Sequence, residues 1–78
     1  MDIRALVGRN VRRARILKGL TQEELAERAE TSQFYVSSLE AGRRNPTVEM
    51  VVTLAVALSM DYLDLLRPDG ESISTGDD

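Results

Sequence analysis

The 78-residue chain has no cysteine and no histidine. The first absence excludes disulfides and thiolate metal sites; the second excludes imidazole ligands and imidazole-based proton transfer. No stretch approaches the ~20 apolar residues of a membrane span, and the stretch MDIRALVGRNVRRAR lacks the apolar segment of a signal peptide. The expectation is a soluble, cytoplasmic protein without membrane attachment. Aromatic residues are scarce, one Phe and two Tyr, yet Phe34 and Tyr35 are neighbours. The length suffices for one domain with a modest core and leaves no room for a second.

The formal net charge of −3 argues against a polyanionic partner only until the charges are placed along the chain. Residues 1–67 carry ten basic and nine acidic side chains, whereas residues 68–78 carry four acids and no base. Arg4, Arg9, Arg12, Arg13, Arg15 and Lys18 follow one another without an intervening acid. Local field, not the sum, steers a polyanion.

Ile3, Leu6, Val7, Val11, Ala14 and Leu17 recur at helical spacing, and Gly19 stands where a helix stops, so the pattern predicts a first helix over about 3–18. Gly8 is a weak point within it. Thr21 and Glu24 form the capping-box pattern ahead of a second helix buried through Leu25, Ala26 and Ala29. A third helix is expected over about 32–41, from Ser32 to Gly42. Thr47 then caps a fourth over 48–58, and Asp61 caps a short fifth, YLDLL. VVTLAVAL has strand-like composition but no second strand to pair with, so five helices is the reading. The acidic, apolar-poor residues 68–78 are expected to form a disordered tail beyond a domain of residues 1–67.

The third helix raises the functional question. At ~100° per residue, Val36 and Leu39 share one side with Ser32 and Glu40 flanking them, while Phe34, Ser37, Ser38 and Ala41 lie opposite and Gln33 sits at the edge. A solvated face ordinarily carries Lys and Glu; serines there lower helix propensity without helping packing. The DNA major groove admits one helix, its base edges exchange hydrogen bonds with Gln and Ser, and thymine methyls meet apolar groups. Gln33, Phe34, Ser37 and Ser38 suit that task. Glu40 suits it only if turned inward and neutralised, and Arg15, at the edge of the first helix's buried stripe, is the expected partner in a bidentate ion pair.

On these residues the chain resembles a known family. GLTQEELAERAETSQFYVSSLEAGRRNPTVEMVVTLAVALSMDYLDLL, residues 19–66, with VGRNVRRAR ahead of it, is similar to the phage-repressor and Cro-like helix-turn-helix DNA-binding proteins. The resemblance implies an all-α, compact five-helix domain of the lambda-repressor kind, with helices two and three forming the helix-turn-helix and the third lying in the major groove. It implies base reading by Gln33, Phe34, Ser37 and Ser38, and phosphate binding by Thr21, Gln22, Arg43, Arg44 and Asn45. Arg15 and Glu40 match an ion pair of the family.

Three positions depart from the family pattern. Glu30 stands where glycine is usual, and a left-handed backbone there costs ~1–2 kcal/mol, so the turn is expected to be reshaped. Phe34 replaces a polar side chain, which favours methyl or sugar contact and readout of DNA shape. Ile16, Leu17, Val52 and Val56 replace charged residues, and such apolar area marks an interface. The expected dimer surface comprises Val52, Val56, Met60, Tyr62, Leu65 and Leu66, with Leu63 in the core.

The sequence therefore predicts a homodimer that binds a pseudo-palindromic operator in double-stranded DNA and regulates transcription, as phage repressors or restriction–modification controllers do. The rival reading is an antitoxin-like protein-interaction module with secondary DNA binding. Catalysis is not expected, because Ser37 and Ser38 have no histidine base and no carboxylate pair suggests a cleft. Neither a cofactor, a metal nor a small-molecule ligand is expected.

Overall fold

The structure, a computed structural model, describes residues 1–68. The expected acidic tail thus lies, apart from Pro68, outside the described residues. Four α-helices and one short 3-10 helix follow in order: α1 Ile3–Leu17, α2 Gln22–Arg28, α3 Gln33–Glu40, α4 Val48–Ala57 and the 3-10 helix Tyr62–Leu66. The β-branched run is helical in α4.

Each element starts at a side-chain cap. Asp2 accepts from the Arg4 N–H at 3.1 Å. Thr21 accepts from the Glu24 N–H at 3.0 Å, and Glu24 returns the bond to the Thr21 N–H at 2.9 Å, which completes the capping box. Ser32, Thr47 and Asp61 cap α3, α4 and the 3-10 helix in turn.

The four α-helices also end alike, on left-handed residues: Gly19 (φ +73°), Glu30 (φ +57°), Gly42 (φ +78°) and Ser59 (φ +57°). After each, a paired set of backbone bonds closes the helix end, as with Leu20 N–H to Arg15 O and Gly19 N–H to Ile16 O. The same pair closes α2, from Thr31 to Ala26 O and from Glu30 to Glu27 O. The turn between α2 and α3 is therefore not reshaped to suit Glu30. Glu30 instead takes the conformation that glycine favours, at a cost that the surrounding packing offsets.

The core gathers Val7, Val11 and Ala14 from α1, Leu25, Ala26 and Ala29 from the α2 segment, Val36 and Leu39 from α3, and Val51, Leu54, Ala55 and Leu58 from the α4 segment, with Leu65. Ile3 and Leu17, which share the helical spacing of the first helix's apolar residues, are 47% and 79% exposed, one at each end of α1. The closing segment also differs from expectation. Leu65 is fully buried and Leu63 is 51% exposed, the reverse of the assignment from sequence. The segment winds with three residues per turn, so the α-helical period misplaces its faces. Leu65 is thereby removed from the dimer surface.

Two residues fix how α1 meets its neighbours. At Gly8 an added Cβ would lie 2.3 Å from the Leu39 carbonyl oxygen and 3.1 Å from that of Glu40, so glycine lets α1 touch the end of α3. Buried Asn10 donates to the carbonyls of Leu65 and Arg67, both at 2.9 Å, and pins the closing segment to α1.

Candidate nucleic-acid interface

Because α3 packs its Val36 and Leu39 against α1 and α2, it turns the opposite ridge outward. Gln33 and Ser37 are exposed on it, and Phe34 is 72% exposed, an unusual position for a ring in a domain with so few. Ser38 is different. It is buried, and does not belong with the base-reading residues expected from sequence. The chain returns along this flank after α3: the Arg43 N–H donates to the Ser38 carbonyl, and Arg44 reaches over Tyr35. A helical angle alone does not register a returning loop.

Behind the ridge, Arg15 and Glu40 meet in two bonds, Nε to Oε2 at 2.7 Å and Nη2 to Oε1 at 3.0 Å. Arg15 Nη1 donates further to the Leu20 carbonyl at 2.8 Å. The hydrogen bond to Glu40 raises the Arg15 pKa above its ordinary value against the opposing effect of burial. Gln22 Nε2 also donates to Glu40 Oε1, at 3.0 Å. One carboxylate thus ties α1 and α2 to α3, and the second N–H of the half-buried Gln22 amide remains for an outside acceptor.

Thr21, at the start of α2, is exposed. Arg43 and Asn45 are exposed in the loop after α3, while Arg44 is half-buried over the rings of Phe34 and Tyr35. Burial raises the Tyr35 pKa, and the nearby Arg44 charge lowers it in part. Sequence reasoning missed Arg12, which shares a groove with Gln22, Ser37 and Glu40 beside the ridge. Its signal was present: Arg12 precedes Arg15 by three residues and so lies on a neighbouring stripe of α1.

On the far side, Val52 is 36% exposed, Val56 71%, Tyr62 45% and Leu66 37%, whereas Met60 is half-buried against the core. Ile16 and Leu17 are exposed at the end of α1.

Two helices joined by a tight left-handed turn, the second presenting an exposed polar ridge beside basic residues, define a helix-turn-helix protein. The sequence matches the helix-turn-helix family over residues 11–65, and the chain belongs to that family of DNA-binding transcription regulators. It is similar to an HTH-type transcriptional regulator of Sinorhizobium fredii, y4dJ, with 53% identity over 72 residues covering 92% of this chain and 94% of the relative. The control protein C.SmaI of Serratia marcescens is 37% identical over 70 residues, covering 90% of this chain and 83% of the relative. Among solved structures, the hypothetical transcription factor NHTF from Neisseria superposes with a TM-score of 0.85 at 37% identity, over 90% of this chain and 80% of that one. The restriction-modification controller protein C.AhdI from Aeromonas hydrophila superposes at 0.77 with 34% identity, over 80% and 90% of the two chains. Among the described residues, no helix is long and apolar enough to cross a membrane.

Proposed function

We propose that the chain acts as a homodimer in the cytoplasm, binds a pseudo-palindromic operator and controls transcription by occupancy rather than by catalysis. The observation that carries this reading is the exposed ridge of Gln33, Phe34 and Ser37, held outward by the buried Arg15–Glu40 pair. In this reading Gln33, Phe34 and Ser37 meet base edges. Thr21, Gln22, Arg43 and Asn45 grip phosphates on either side, and Arg12 does the same from α1. The similarity to two controller proteins supports the operator reading.

One such domain covers only ~600–1,000 Å² of DNA contact, which yields weak affinity, so two copies form the working unit. Val52, Val56, Met60, Tyr62 and Leu66 supply the shared face. An apolar hollow of about 170 Å³, lined by Ile3, Val48, Val51, Tyr62 and Leu66 among others, opens beside it. The recognition helices of the dimer would then stand ~34–36 Å apart, on successive major grooves.

Titration with duplex DNA tests the reading. With about 6–10 phosphate contacts per dimer, affinity should fall ~10³–10⁵-fold between ~50 and ~200 mM salt. Replacing Arg43 with Ala should weaken binding to all sequences and flatten that slope, whereas Gln33→Ala should mainly relax sequence preference. Absence of binding at low salt, or binding indifferent to salt, rejects the proposal.

A further inference from the structure

Arg44 is placed unlike its neighbours in the loop. Its guanidinium carbon lies 5.7 Å from the centre of the Phe34 ring and 5.3 Å from that of Tyr35, both within the range where a cation and a ring attract. Among the described residues no carboxylate pairs with it. A side chain devoted to the phosphate backbone would extend into solvent as Arg43 does. Its position over two consecutive rings of α3 instead confines this guanidinium to the flank of the exposed ridge.

Resting on the DNA-binding reading above, we propose that Phe34 and Arg44 form one reading unit, which recognises a 5-methylpyrimidine close to a guanine in the major groove. The Phe34 ring has no hydrogen-bonding group. It therefore favours a pyrimidine C5-methyl over a bare C5–H and is indifferent to the exocyclic group beside it. With its guanidinium carbon held over the two rings and no carboxylate paired to it, Arg44 keeps N–H donors for the O6 and N7 of guanine, the commonest specific contact arginine makes in that groove. Base pairs rise by ~3.4 Å, so groups separated as these are address positions within two base pairs of each other. Holding the side chain in place before binding also reduces the conformational entropy lost in the complex.

The methyl can belong to thymine or to 5-methylcytosine, and the test separates them. Preferred sites are selected from random duplexes with the full chain. Each thymine is then replaced singly by deoxyuridine, and each guanine by 7-deazaguanine. One thymine per half-site should lose about three- to fivefold in affinity with its methyl, the effect of one methyl group kept from water. A guanine within two base pairs should lose about fivefold or more with its N7. Phe34→Ala should abolish the first penalty. Arg44→Lys, which keeps the charge but not the fork, should abolish the second while preserving the salt slope. A 5-methylcytosine that binds as thymine does at the sensitive position extends the unit to methylated DNA; one that binds as cytosine does confines it to thymine.

Salt-dependent operator binding that ignores every uracil and deazaguanine replacement overturns the reading unit and leaves the DNA-binding proposal standing. So does an Arg44→Ala variant that only flattens the salt slope. Absence of duplex binding at low salt overturns both.

Discussion

Glu40 is the side chain on which the interface turns. Its exposure is 4%, that of Arg15 is 12%, and three donors converge on its two oxygens. Such a pair adds little net stability over an apolar pair of the same shape, but losing one member strands a buried charge. Arg15→Ala should therefore cost ~3–5 kcal/mol, measured by urea unfolding, and a combined Arg15→Met and Glu40→Leu variant should recover most of it. A single variant as stable as the parent would mean that the carboxylate is solvated after all. Because the bond to Glu40 raises the Arg15 pKa, its contribution holds from neutral pH up to the ordinary arginine value and is lost as the pH climbs beyond it. This pair was legible in the sequence, since a carboxylate on a DNA-facing helix has to be neutralised and Arg15 was the base at the right edge. Ser38 and Asn10 were not legible. Ser38 is buried although its helical angle sets it opposite Val36 and Leu39, and Asn10 is decided by bonds to Leu65 and Arg67, more than fifty residues away.

From α2 onward the helices were legible because each start carries its cap in the sequence, Thr21 with Glu24, then Ser32, Thr47 and Asp61. Where glycine marks a helix end, as at Gly19 and Gly42, the stop was legible too. Glu30 and Ser59 end α2 and α4 in the same conformation without glycine's signal, so there the paired backbone bonds decide. Gly8 shows what a helical pattern conceals. By propensity alone, Gly8→Ala should stabilise α1 by ~1 kcal/mol. Its Cβ would meet the Leu39 carbonyl oxygen at 2.3 Å, with backbone on both sides of the contact, and overpacking of that kind costs ~1–3 kcal/mol or more. The clash outweighs the propensity, and the variant should show a lower thermal midpoint and weaker operator binding, because α1 pushes α3 out of position. A higher midpoint would mean that the two helices do not meet as closely as described.

At the scale of the whole molecule the decisive question is what the apolar face of α4 and the closing segment does, because the affinity of one domain is too small for a regulator. Net charge hid the answer to the first functional question, and exposure raises this one: Val56 is 71% exposed with Val52, Tyr62 and Leu66 around it. Val56→Lys should leave the monomer's fold nearly unchanged, since surface substitutions away from special features shift stability by only about 0.5 kcal/mol. In a dimer the same ammonium would be buried without a partner. Sedimentation should then show a dimeric parent and a monomeric variant at equal concentration. Duplexes separate this effect from damage to the reading ridge: affinity for an isolated half-site should stay the same, while affinity for the full operator should fall by ~10²-fold or more, the advantage of two linked contacts. If parent and variant hold the full operator equally well, this face does not join the two copies.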